Sequence, residues 1–482
     1  MTAVGESNVG DSKRIPDRAE QPDGEPAVPS DRAPGVLTRP YRALTLGIVS
    51  VVLLIAFEAM AVGTAMPVAV KELDGVPLYA LAFSAFFTTS LLAMVVSGEW
   101  CDARGPRLPL FGGIGAFATG LLLAGTAQSM WPFIAGRAVQ GLGGGLVIVS
   151  LYVVVGRAYP SALRPRVFSA FSAAWVLPSI VGPPVSGLVT DHLGWRWVFL
   201  AIPVLVVLPL VMMLPQVERM AGAPDAGVRM NRRRIGAAVG ASAGAGLLQY
   251  GGQHLDAVGV VLLVVGLALM AATVSRLLPA GTLRAARGLP TVILSRGVLA
   301  GAFFTVESFV PLMLISEHGL SPTRAGLTLT VGALSWAIGS WIQGRSPHEL
   351  RPRLVQAGFV CVALAIGGAL LALAPGMPAY TVTVGWFFGG MGMGMAVSSV
   401  SVLTLDLSTP EEAGANSSSL QVADSLGTIV LVGLAGAIFA ALHEGTGRDG
   451  GVFTVIFTIM LVVALVGALL APRVRRRPTT SE

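Results

Sequence analysis

Fourteen apolar stretches divide the chain, at 43–67, 78–98, 108–127, 131–156, 167–190, 195–214, 235–252, 257–275, 291–316, 323–343, 354–374, 379–403, 416–441 and 452–471. Each is close to the roughly 20 residues that an α-helix needs to cross a bilayer core. The pattern predicts fourteen membrane-spanning helices. The stretch at 235–252, rich in glycine and alanine, carries the weakest signal.

The stretches fall into six, two and six. Gly141, Gly143 and Gly145 in the fourth recur as Gly390, Gly392 and Gly394 in the twelfth, displaced by 249 positions. Gly98, Trp100 and Arg104 recur as Gly339, Trp341 and Arg345, and Pro160 has a counterpart in Pro410. The reading is two repeated six-helix bundles, 43–214 and 291–471. Between them, 215–290 holds loops and two inserted helices. Residues 1–42, rich in proline and charge, read as a disordered cytoplasmic tail. Residues 472–482 read as a basic one. No short apolar core with a cleavage site stands near the start, so the first helix is expected to be retained.

Composition fits this picture. The chain of 482 residues is 54% hydrophobic and 12% charged, with mean hydropathy +0.74. That excludes an ordinary soluble globular protein. A pI near 9.8 raises nucleic acid as a partner, but the placement of the basic residues argues against it. Of the 32 lysines and arginines, Lys71, Arg196, Arg324 and Arg448 fall at outer loops and Arg137 inside a helix. The others were assigned to the inner side, which puts both termini in the cytoplasm of a cell-membrane protein. Cys101 and Cys361 suggest neither a disulfide nor a metal site, and the five histidines are scattered.

Charges inside the spans are the candidate chemistry. An arginine at a bilayer centre costs about 2.5–3.5 kcal/mol on insertion scales. Arg137 stands in the fourth span among close-packing glycines, so it should face water or a carboxylate. Glu58 lies about nine residues from the outer end of the first span, roughly 13 Å at 1.5 Å per residue. Arg137 lies at a similar depth in a helix of opposite direction, so the two are expected to meet. They are either a proton-exchanging pair or a structural lock between helices. Glu307 follows Glu58 by the same 249 positions, whereas Trp386 replaces Arg137. Asp424 is a third embedded acid. Glu307 and Asp424 read as proton carriers, as carboxylates for a cationic substrate, or as hydrogen-bonded structural acids. Gln140, Trp175 and Trp386 are candidates for a substrate cavity; packing within the bundles is the alternative for Trp175, Trp336, Trp341 and Trp386.

Four motifs carry a family resemblance. Gly98-Glu99-Trp100-Cys101-Asp102-Ala103-Arg104-Gly105-Pro106-Arg107 resembles the signature loop of the major facilitator superfamily. Gly98, Asp102, Gly105 and Arg107 match, while Arg104 is displaced by one and Pro106 replaces a basic residue. The resemblance implies an inner gate in which Asp102 caps a helix of the opposite half, here around Asn416–Ser418. Gln343 stands in place of Asp102 in the second copy. Arg137, Gln140 and Gly141 resemble the family's Arg-x-x-Gln-Gly motif, associated with proton movement. Gly182-Pro183 with Gly187 resembles its antiporter motif, with Ser186 in place of a glycine. Glu58 and Pro67 fall on the acid and the proline of the helix-1 motif of the fourteen-helix drug:proton antiporter branch. Ala61 and Gly63 to Ala65 replace most of that motif's polar residues.

The fold implied is an all-α polytopic major facilitator protein, with two six-helix bundles and two extra central helices. The activity implied is proton-coupled export of a small amphipathic or hydrophobic compound by alternating access. An exporter of a lipid or secondary metabolite, a solute-uptake symporter and a transport-inactive receptor or scaffold are the rivals. No enzyme signature is present, and the glycine runs lack the Gly-Lys-[Ser/Thr] ending of a phosphate loop. The expected energy source is therefore the proton gradient, with no cofactor and no ATP. The expected partners are the lipid bilayer, a small-molecule substrate and protons, with no nucleic acid, and the protein is expected to be monomeric.

Overall fold

The computed structural model describes residues 36–160, 163–219, 230–252, 256–409, 412–443 and 448–475. The tail expected before residue 36, residues 220–229 of the central loop, and Arg476 and Arg477 lie outside them. Among the described residues all regular structure is helical. The first bundle comprises α1 (Arg42–Glu72), α2 (Tyr79–Arg104), α3 (Arg107–Gly125), α4 (Met130–Ala158), α5 (Arg164–His192) and α6 (Arg196–Arg219). The insertion is α7 (Arg232–Gly251) and α8 (Ala257–Leu277). The second bundle comprises α9 (Leu289–Ser316), α10 (Pro322–Arg345), α11 (Arg351–Ala372), α12 (Tyr380–Asp406), α13 (Ala413–Leu442) and α14 (Gly450–Leu470).

Thirteen of these helices are long and apolar enough to cross a membrane. The exception is α7, the weakest of the expected spans. Its helix starts on the Asn231 side chain, which accepts from the backbone N–H groups of Arg233 and Arg234. Small residues such as Ala237, Ala241, Gly244 and Ala245 then bury its faces against its neighbours. Close packing replaces bulk hydrophobicity there. In α6 the helix breaks after Leu205 and resumes at Val207. Pro209 lacks the N–H that would bond the Leu205 carbonyl one turn earlier.

The two bundles repeat one pairing scheme. In the first, α1 packs on α5 and α6, while α4 packs between α2 and α3. In the second, α9 packs on α13 and α14, while α12 packs between α10 and α11. The repeated glycines explain the last pairing. A methyl group at Gly141 would strike the Phe86 carbonyl of α2, and one at Gly390 the Gly332 carbonyl of α10. Gly143 and Gly392 face α3 and α11 in the same alternation.

With fourteen crossings, the start of α1 and the end of α14 lie on one face, called the terminal face below. Near the opposite face the bundles meet backbone to backbone. Gly187 of α5 lies against Thr323 of α10, and Gly326 against the Pro183 carbonyl. Thr330 donates to the Ile180 carbonyl at 3.2 Å. Across the second seam Gly436 of α13 lies against Ala80 of α2, and the Tyr79 hydroxyl donates to the Ser308 carbonyl. The inserted pair covers this second seam. Leu91 of α2, Ala241 and Ala245 of α7, Met270 and Val274 of α8, and Val422, Leu426 and Ile429 of α13 form one buried cluster. Ser242 donates to the Thr88 carbonyl at 3.0 Å, and Gln249 to the Thr88 hydroxyl at 3.2 Å.

Candidate functional site

Glu58 projects from α1 toward α4, and both it and Arg137 are buried, at 0% and 3% exposure. The guanidinium Nη1 of Arg137 donates to Glu58 Oε1 at 2.6 Å and to Gln140 Oε1 at 2.6 Å. Its Nε points at the Ala82 carbonyl of α2 at 3.4 Å, and its Cζ lies 4.8 Å from the Phe86 ring centroid. So α1, α2 and α4 each contribute to holding one cation. The close approach of α4 to α2 at Gly141 brings the Phe86 face within cation–π range.

The cluster is incompletely satisfied. Glu58 Oε2 and Gln140 Nε2 are buried without a hydrogen-bond partner among the described residues. A buried polar atom left unpaired is costly. Glu58 Oε2 is thus the carboxylate oxygen left without a donor while Oε1 stays on Arg137. Protonation would remove one charge of a pair whose members are expensive to bury alone.

The equivalent place in the second bundle is built differently. Glu307 sits in α9, half-buried, with no hydrogen bond or ion pair among the described residues. Trp386 is fully buried, its ring stacked on Phe303 with centroids 5.3 Å apart. It packs in the core of the bundle, where Gly332 of α10 leaves room for its ring. Gln140 is likewise buried, as the second acceptor of Arg137. Trp175 is 38% exposed on the terminal-face half of α5, and it alone of the three cavity candidates has open surface.

Asp424 on α13 forms an ion pair with Arg296 on α9. Arg296 was missed as an embedded residue and grouped with the inner-side arginines. It lies in the eighth position of α9, about two turns inside the helix. The signal available was its place within an apolar stretch, the same signal that singled out Arg137.

At the terminal face the expected gate is rearranged. Helix α2 continues through Arg104, so Asp102 and Arg104 sit in its last turn, and Gly105 ends it with φ +82°. Asp102 is exposed and has no hydrogen bond or ion pair among the described residues. It does not cap α13. The start of α7 stands between the two helices and makes the connection instead. Glu99 Oε2 accepts from the Asn231 backbone N–H at 2.7 Å, and Glu99 Oε1 lies 3.8 Å from Arg234. Arg234 in turn donates to the Ser418 hydroxyl at 3.1 Å. Arg107 pairs with Glu218 at the end of α6, at 3.4 Å. Gly98 has room for a side chain, with Val149 4.0 Å from a modest addition.

The residues of the antiporter-like motif lie where α5 meets its neighbours near the opposite face. Gly182 faces Met60 of α1, and the Ser186 hydroxyl donates to the Ala61 carbonyl at 2.7 Å. Pro183 and Gly187 form the contact with α10 described above.

Two repeated helical bundles enclosing a buried charged cluster are the build of a multi-pass membrane transporter. Residues 48–382 match the Major Facilitator Superfamily, and the chain belongs to that family. It is 31% identical over 156 residues to the Multidrug transporter protein MdtP of Bacillus subtilis (strain 168), which is 32% of this chain and 29% of the relative. It is 29% identical over 156 residues to Multidrug resistance protein 3 of the same organism, covering 32% of this chain and 30% of that protein. The chain thus spans less than a third of the length of these curated relatives. Among solved structures, a POT family transporter in complex with a thioalcohol conjugated peptide superposes with a TM-score of 0.66 at 14% identity. That superposition covers 92% of this chain and 99% of the other, and it shows a shared fold.

Proposed function

We propose that this chain is a proton-coupled antiporter that exports a small amphipathic or hydrophobic compound across the cell membrane. The observation that carries the reading is the Glu58–Arg137–Gln140 cluster, buried and with one carboxylate oxygen of Glu58 unpartnered. The names of the two Bacillus relatives support a multidrug substrate range. The basic residues of the terminal face support a cytoplasmic position for it, and the contacts at Gly187 and Gly326 then belong to an outer seal. In the cycle, a proton arriving from outside binds Glu58 and loosens its hold on Arg137. Substrate binding favours the charged pair, and rocking of the bundles about their seams exchanges access.

The test is uphill efflux from proteoliposomes carrying an imposed proton gradient, using ethidium, a neutral dye and a fluorescent phospholipid as probes. Glu58→Gln is expected to lower proton-driven efflux to the rate of empty vesicles. It also leaves Arg137 buried without a counter-charge, so the double change Glu58→Gln with Arg137→Gln, which removes both charges, serves as the folding control. Efflux with normal pH dependence in either variant would sink the coupling role. Transport of the phospholipid alone would replace the drug reading with lipid export.

A further inference from the structure

In each bundle the start of the third helix and the end of the sixth lie at the terminal face. In the first bundle an ion pair bridges the two: Arg107 at the start of α3 and Glu218 at the end of α6. In the second bundle the flanking residues are both cations. Arg353 stands in the first turn of α11, and Arg475 follows the 3-10 turn Ala471–Val474 that ends α14. Both are exposed, and neither has a hydrogen bond or ion pair among the described residues. They line one groove of about 510 Å3.

The rest of the groove's lining is mostly apolar, with Leu350, Leu403, Leu407 and Val474. Leu403 and Val474 are buried, at 6% and 1% exposure. Glu349 is the one carboxylate on the rim. The His348 ring is turned to Asp406, at 2.7 Å, and Asp406 also accepts from Arg351 at 3.2 Å. That leaves two arginines and one carboxylate, Glu349, on the groove, a net positive lining with no ion pair among these three, where the sister bundle has opposite charges in contact. A net positive lining of this kind calls for an anion from outside the chain. The groove lies at the ends of membrane-spanning helices, the level of lipid headgroups, where basic pockets between helices take phosphate-bearing lipids. A free phosphate would leave the leucine floor wet, whereas an acyl chain would cover it.

We propose that this groove binds an anionic phospholipid. Its phosphodiester sits between Arg353 and Arg475, and the upper part of an acyl chain lies along Leu350 and Leu407, the lining leucines that keep open surface. The site is separate from the buried Glu58–Arg137 cluster, and its occupancy does not depend on what the protein transports.

The test is native mass spectrometry of the purified full chain titrated with phosphatidylglycerol, phosphatidylcholine or inorganic phosphate. Phosphatidylglycerol is expected to bind as a discrete adduct, more tightly than phosphatidylcholine. R353Q and R475Q should each weaken it about fivefold, and the double change about thirtyfold. R448Q, which removes an exposed arginine at the opposite face, should leave it unchanged. Both groove arginines are exposed, so the double variant is expected to unfold without lipid at the parent's temperature; if it does not, the single variants decide. Parental affinity in the arginine variants overturns the proposal. So does displacement of phosphatidylglycerol by inorganic phosphate at comparable concentration, which would make the groove a free-anion site.

Discussion

The two bundles share their packing and differ in their charge. Glycines at the same spacing bring α4 onto α2 and α12 onto α10, and the helix pairings match one for one. At the register where the first bundle places Glu58 against Arg137, the second places Glu307 with no partner and Trp386 in a stack with Phe303. Its own ion pair, Arg296 with Asp424, joins a different pair of helices, α9 and α13, nearer the terminal face. Features common to both copies are therefore those that any such bundle needs to pack. Among the described residues the paired charge at mid-depth belongs to one copy alone, which is why the proposed coupling is placed in the first bundle.

The sharpest way to break that contrast is to remove the cation. Arg137→Met fills similar volume but leaves an ionised Glu58 buried without a counter-charge. Breaking a buried pair from one side typically costs about 3–5 kcal/mol, so a large fall in unfolding temperature is expected in detergent. Glu307→Gln, which has no partner to orphan, should cost under about 1 kcal/mol. Equal losses in the two variants would mean that Glu307 is held by the bundle as firmly as Glu58, and the contrast would fail.

The shared half of the comparison predicts the opposite outcome. An added methyl at Gly141 meets the Phe86 carbonyl, and one at Gly390 meets the Gly332 carbonyl. Backbone cannot move aside as a flexible side chain can, and overpacking of this kind costs roughly 1–3 kcal/mol. Gly141→Ala and Gly390→Ala should therefore destabilise by similar amounts. Gly112, with open space around its Cβ position, is the control and should accept alanine without loss. A loss at Gly141 with none at Gly390 would show that the first glycine run serves Arg137 rather than packing.

How far these elements can be read without coordinates follows from the range of the forces involved. A bilayer demands about 20 apolar residues per crossing, so thirteen of the helices are written plainly. The Gly/Ala-rich α7 is fainter because its stability comes from neighbours. Glu58 and Arg137 were paired by counting residues from the helix ends, since depth in a bilayer is a one-dimensional property. Arg296 escaped because it stands close enough to the α9 start to be counted with a basic loop. The sequence leaves Trp386 open between a cavity and bundle packing because nothing local records its stacking on Phe303, a contact between α9 and α12. The connection through Glu99 rather than Asp102 is hidden for a similar reason: where α7 inserts is a tertiary fact.

That last displacement supplies the smallest expected effect. The terminal-face connection runs from Glu99 through Asn231 and Arg234 to Ser418, so it joins α2 to α13 by way of the insertion. Arg234 is largely solvated, and pairs of that kind contribute at most about 1 kcal/mol. Stability is therefore the wrong readout. Spin labels at the ends of α2 and α13 would report the separation of those ends directly. Glu99→Gln weakens the charge on one side of Arg234, and it should broaden that distance distribution toward wider separations. Asp102→Asn, at an exposed carboxylate with no partner, should leave it unchanged in this state. If Asp102→Asn widens the distribution while Glu99→Gln does not, the connection through α7 is incidental. In the second bundle the register of Glu99 carries Ser340, whose hydroxyl is turned to α12, to the Gly394 carbonyl and the Ser398 hydroxyl.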